Sequence, residues 1–140
     1  MSNTKIPNRK KMERELPLVW DINDVLGYIK SHGDKVCFKY FENNALLEMT
    51  YFEVYETVNK VAAAFDKLGL SGKRVAVIGD TSPQWLCSYM GALASGTIVI
   101  PMDKELETSA ILDFLAWVDA EAIVYSDKFR NLALVLNFLV

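Results

Sequence analysis

Residues 74–101 read RVAVIGDTSPQWLCSYMGALASGTIVIP, and the order of signals in this stretch decides the fold. Arg74 to Gly79 is a short apolar run, the pattern of a strand buried on both faces of a parallel sheet. Thr81, Ser82 and Pro83 then start a helix, with proline at an early helical position where its missing N–H costs nothing. Trp85, Leu86, Tyr89, Met90 and Leu93 supply the contacts of that helix, and Gly96 ends it. Thr97 to Ile100 is a second strand, stopped by Pro101. Strand, helix and strand with connections this short specify a parallel pair joined by a right-handed crossover.

The same rhythm continues outward. Downstream, the sequence predicts a helix from Thr108 to Val118, a strand at Ala122 to Tyr125 and a last helix over Asp127 to Val140. Upstream, Thr50 opens a long helix, and Glu53 three residues on completes a capping box. Val54, Val58, Val61, Ala62, Phe65 and Leu68 recur at helical spacing and form an apolar face that should lie on the sheet, and Gly69 ends the helix. Val36 to Phe41 and Leu46 to Met49, joined through Glu42, Asn43 and Asn44, read as two antiparallel strands. Before them Asp21 caps a helix running from Ile22 to about Ser31, with Gly33 closing it. The expected class is α/β: an open parallel sheet with helices on both faces, preceded by a short antiparallel hairpin.

Composition bounds the function. With 140 residues, 51% of them hydrophobic, the chain can bury one core. Eighteen acidic against fifteen basic residues give a net charge of −3, which argues against a nucleic-acid binder. Cys37 and Cys87 stand apart in apolar runs without CxxC spacing and read as buried reduced thiols, as in a cytoplasmic protein. Residues 1–20 form a basic arm carrying Lys5, Arg9, Lys10 and Lys11, expected to be flexible; no apolar stretch follows that would make it a secretory signal. No run reaches the ~20 apolar residues of a membrane span.

Chemistry-bearing motifs are sparse. The Gly72-Lys73 step lacks the Walker pattern, because Lys67 and Arg74 stand where Gly and Ser or Thr are required. Gly69 and Gly72 precede a strand, whereas a dinucleotide fingerprint follows one, so they read as a helix stop and a turn. His32, the single histidine, reads as a solvated helix-terminal residue without metal-ligand neighbours. Asp80 and Asp103 each follow a strand, where open α/β sheets place their ligand crevice; ordering the local turn is the simpler role for both. Trp85 and Trp117 read as packing residues on helices.

Met49-Thr50-Tyr51-Phe52-Glu53-Val54 resembles the first core motif of the adenylate-forming (AMP-binding) superfamily, in which a hydrophobic-Thr-Tyr-x-Glu-Leu segment opens a long helix. Lys73 to Ile78 followed by Ser82-Pro83-Gln84-Trp85 is similar to that family's DRVAV…NSPEW stretch, and Leu93 to Asp103 to its LKAGAVVVPLDP motif. Ala122 to Ser126 fits the next strand, and Lys104-Glu105-Leu106 is similar to the long-chain acyl-CoA ligase branch. The resemblance spans roughly Asp21 to Phe129. It departs at Ser95, Met102 and the Asp80-Thr81 pair, which stand where the family often has Ala, Leu and Pro-Asn.

The resemblance implies a parent enzyme that uses ATP, Mg²⁺ and coenzyme A to convert a small-molecule carboxylate, expected to be a fatty acid, into its thioester. The family's phosphate loop, Tyr-Gly-x-Thr-Glu segment, Thr-Gly-Asp segment and lid lysine do not occur in these residues. No catalytic, cofactor-binding or metal residue is therefore assigned, and the 140 residues alone are expected to be inactive and to bind none of the three cofactors. Residues 21–140 are expected to be the truncated amino-terminal portion of the AMP-binding domain, whose partner is the remainder of the parent chain. The apolar ending, with Leu132, Leu134, Val135, Leu136, Phe138 and Leu139, is expected to support self-association. An amino-acid or aryl-acid adenylating enzyme is the alternative within the family, and a free-standing flavodoxin-like binding domain the alternative outside it.

Overall fold

The computed structural model describes residues 18–131. Local chemistry sets the start of each early element. The Asp21 carboxylate accepts the N–H groups of Asn23 and Asp24 in front of α1 (Ile22–Ser31). Strands β1 (Val36–Glu42) and β2 (Ala45–Thr50) pair antiparallel around a two-residue turn. Asn43 and Asn44 both take positive φ there, 49° and 62°, as a tight hairpin turn requires. Glu42 therefore lies in the ladder, opposite Ala45, and not in the loop where the sequence reading had it.

Thr50 ends β2 and caps α2 (Tyr51–Lys67). Its Oγ1 accepts the Glu53 N–H at 3.1 Å, and its own N–H donates to Glu53 Oε2 at 2.7 Å, which is the expected capping box. The Thr50 N–H, and then the Thr50 hydroxyl donating to the same Oε2 at 3.0 Å, hold the Glu53 carboxyl below the usual carboxylate range. Thr50→Ala should lower the unfolding free energy by about 0.5–2 kcal/mol. A guanidinium chloride titration reads this as a lower midpoint with unchanged slope.

Strands β3 (Arg74–Ile78), β4 (Ile98–Pro101) and β5 (Ala122–Tyr125) form a parallel sheet in the order β4-β3-β5. Helix α3 (Pro83–Ala94) connects β3 to β4, and α4 (Thr108–Trp117) connects β4 to β5. Val75, Ala76, Val77 and Ile78 are all buried, as a central strand covered on both sides must be. Alternate residues face opposite layers. Ala76, Ile78 and Ile123 pack with Ile111 and Leu115 of α4. Val75 and Ala122 pack with Ala92 of α3 and Phe65 of α2. Strand β4 begins at Ile98 and takes in Pro101, and the ladder then continues through Met102, whose N–H donates to Val77 O at 3.0 Å.

The apolar face of α2 is covered differently from the sequence expectation. Val54 and Val58 pack against Cys87 and Met90 of α3 and Leu26 of α1, and the far end, at Val61 and Phe65, joins the cluster that contains Val75 and Ala122 of the sheet. Leu68, placed on the same stripe by spacing, is 53% exposed. The helix has already ended there. Gly69 takes φ +68°, its N–H donates to Asp66 O, and the Leu70 N–H donates to Phe65 O. In this turn the residue after the glycine, not the one before it, packs back on the helix. Leu70 does so beside Phe65. Leu68→Ala should accordingly change stability by no more than about 0.5 kcal/mol.

After β5 a 3₁₀ turn, Asp127–Phe129, leads into residues 130–131 in helical conformation. The rest of the helix expected to Val140, its self-association surface, and the basic arm up to residue 17 lie outside the described residues.

Candidate functional site

At the carboxyl ends of β3 and β5 the chain leaves the sheet in opposite directions. The segment after β3 enters α3, on the face with Ala92. The segment after β5 places Phe129 in the cluster of α4, on the other face. Such a divergence between neighbouring parallel strands opens a crevice at their carboxyl ends. A crevice of about 100 Å³ lies there, lined by Gly79, Asp80, Ser82, Trp85, Tyr125 and Ser126 among others.

Asp80, the first candidate from sequence, stands at this crevice and is closed off by charge. Its Oδ1 accepts from Lys104 Nζ at 2.7 Å, and its Oδ2 pairs with Lys128 Nζ at 2.5 Å. Lys104 follows β4 and Lys128 follows β5, so one carboxylate ties together the loops after all three strands. The Lys104 hydrogen bond, then that of Lys128, holds the Asp80 carboxyl below its usual range, and Asp80 in turn raises Lys104. A depressed carboxylate contributes stability at neutral pH, and this is lost as pH falls through its folded value. The midpoint difference between the native chain and Asp80→Asn should therefore be widest near neutral pH and vanish in strong acid. All three groups are solvent-exposed, so added salt should narrow it as well.

Asp103 does not join this group. Its Oδ1 accepts the Glu105 N–H at 2.9 Å and orders the turn after β4. His32 caps α1, with Nδ1 2.9 Å from Tyr28 O and its ring between Tyr28 and Tyr51. It is less solvated than its sequence position implies, because the hairpin brings Tyr51 back over it. Trp85 stacks on Tyr89 at 5.5 Å with an interplanar angle of 10°. Trp117 is no core residue: it is 79% exposed beside Phe114 on the outer side of α4. Cys87 is buried, which pushes its thiol up to about 11, whereas Cys37 is only partly buried; both are free. Lys104 and Ser126 entered the sequence analysis only through the family resemblance and Lys128 not at all, and none of the three was read as a site residue. Their only signal is position, each within three residues of the end of a strand.

The family model described as "AMP-binding enzyme" matches residues 28–137. The chain belongs to the AMP-binding enzyme family. This membership displaces the free-standing flavodoxin-like reading. Among curated relatives of this AMP-binding family member, a polyketide synthase-nonribosomal peptide synthetase of Aspergillus flavipes, ffsA, is 30% identical over 98 residues, 69% of this chain and 2% of that protein. Long chain acyl-CoA synthetase 1 of Arabidopsis thaliana is 27% identical over 111 residues, 71% of this chain and 16% of that protein. The fold matches the N-terminal domain of FACL13 from Mycobacterium tuberculosis with a TM-score of 0.73 at 19% identity, covering 87% of this chain and 31% of that one. It also matches the anthranilate CoA ligase AuaEII with a TM-score of 0.72 at 24% identity, covering 86% and 23%. The chain thus spans a minor part of each of these four proteins.

Among the described residues no three His, Cys, Asp or Glu side chains group to hold a metal. Asp80, the carboxylate at the sheet's carboxyl edge, is already paired with two lysines. Among the described residues no helix is long and apolar enough to cross a membrane.

Proposed function

We propose that these residues form the amino-terminal packing layer of an ATP-dependent acid–thiol ligase of the acyl-CoA type. In that reaction a carboxylate oxygen bonds to the α-phosphorus of ATP as the bond to pyrophosphate breaks. The sulfur of coenzyme A then bonds to the acyl carbon, the thiol proton is lost, and AMP leaves with the C–O electron pair. The observation that carries the reading is the family match over residues 28–137, with a long-chain acyl-CoA synthetase among the relatives. The contribution assigned to this chain is scaffolding: the capping box, the α2–α3 contact and the clasp at Asp80 hold the sheet on which such a site is built. A cytoplasmic location belongs to the same proposal, supported by the two free thiols, as does self-association through residues 132–140.

A second reading, activation of an amino acid or aryl acid, is favoured by the 30% identity to the fungal peptide synthetase. Carboxylate-dependent exchange of pyrophosphate with ATP separates them. The 140 residues alone should show no exchange and no ATP·Mg binding tighter than millimolar, because no glycine-rich nest of N–H groups is available for phosphates. The protein translated through the coding sequence beyond Val140 should exchange with fatty acids. Exchange with amino or aryl acids instead would select the second reading, and exchange by the 140 residues alone would overturn both.

A further inference from the structure

Among the described residues, the crevice between β3 and β5 contains two polar atoms that lack partners. Trp85 Nε1 and Ser126 Oγ are both buried and make no hydrogen bond to any described residue. Buried N–H and O–H groups are almost always paired, so two orphans lining one small cavity call for an acceptor that belongs there. They flank the same glycine. A Cβ built on Gly79 would lie 3.3 Å from Ser126 Oγ and 3.4 Å from Trp85 Cδ1, the carbon bonded to Nε1. The missing side chain at Gly79 leaves the floor of the crevice open between the two donors.

We propose that this crevice binds a small neutral carbonyl group, of the amide type, accepting from the Trp85 indole N–H and the Ser126 hydroxyl. The indole N–H can only donate, and a serine hydroxyl can donate too, so the shared demand is an acceptor oxygen. Charge is not called for. Among the described residues Asp80 is the one charged residue lining the crevice, and it is spent on Lys104 and Lys128. The walls beneath, Val77, Ile78 and Val124, are apolar and suit the carbon part of an amide. The volume of about 100 Å³ is that of roughly three waters, which matches one such group and not a nucleotide. This site does not depend on the ligase reading and stands or falls separately from it.

The test is titration of the 140-residue chain with N-methylacetamide, observed through the indole N–H resonances of its tryptophans. Trp85 should shift saturably, while Trp20 and Trp117, 85% and 79% exposed, should shift only in proportion to the additive. Ser126→Ala should weaken binding about 2- to 10-fold, the worth of one hydrogen bond, without a clash. Gly79→Ala, whose methyl would project between the donors, should abolish the saturable shift. The idea is overturned if all three indoles move alike, or if Trp85 still saturates in Gly79→Ala. It is also overturned if acetate binds more tightly than the amide, or if a water contact to the Trp85 N–H persists at saturating amide.

Discussion

Phe65→Ala is expected to lower the unfolding free energy by about 3–5 kcal/mol, the range for deleting a buried aromatic ring. The position is a junction. Phe65 is 6% exposed and packs with Val75 of β3, Ala92 of α3 and Ala122 of β5, and Leu70 closes over it from the turn that ends α2. Ala92 and Ala122 are too small to fill the space left behind, so most of the cavity should persist. Urea titration followed by tryptophan fluorescence would show a large drop in midpoint. A drop comparable to that of Leu68→Ala would mean that α2 does not reach the sheet.

Gly91→Ala should also be strongly destabilising, by about 1–3 kcal/mol or more, even though alanine is the better helix former. A Cβ at residue 91 would lie 2.5 Å from both Cβ and Cγ1 of Val61 and 3.0 Å from the backbone oxygen of Val58. Val61 is β-branched and sits on a helix, so its χ1 has little freedom to escape. The backbone of Val58 cannot move without moving α2. Relief therefore requires α2 and α3 to separate, which would loosen the packing of Val54, Val58, Cys87 and Met90. Gly91→Ala combined with Val61→Gly should recover more of the loss than Gly91→Ala with Val61→Ala, since glycine removes both clashing atoms of Val61 whereas alanine keeps the Cβ at 2.5 Å. The same melts on the single and double variants measure this coupling directly.

Sequence alone determined the elements whose signals are local. The capping box at Thr50 and Glu53, the glycine stops at Gly69 and Gly96, the proline start at Pro83 and the buried strand at Arg74–Ile78 each rest on residues a few positions apart. Local hydrogen bonds and local φ preferences need no knowledge of the rest of the chain. The succession of these elements also carried the family resemblance that the match over residues 28–137 bears out. Where the local signal was missing, the reading lost definition: α4 stops at Trp117, before a turn in which Asp119 takes φ 50° without a glycine to announce it.

Tertiary structure decided what covers what. Periodicity puts Val54, Val58, Phe65 and Leu68 on one stripe, but it cannot say that α3 and α1 cover its first half and the sheet its last buried residue, or that Leu68 stays about half exposed. The role of Gly91 was invisible in sequence because it lies in the distance between two helices and in no pattern of residues. The same holds at the crevice. Asp80, Lys104 and Lys128 are up to 48 positions apart, and only the β4-β3-β5 order brings their loops to one edge. The β3–β5 pairing also set Ser126 beside Gly79, across from Trp85 of the helix that follows β3, because hydrogen-bond partners between strands follow sheet topology and not separation along the chain.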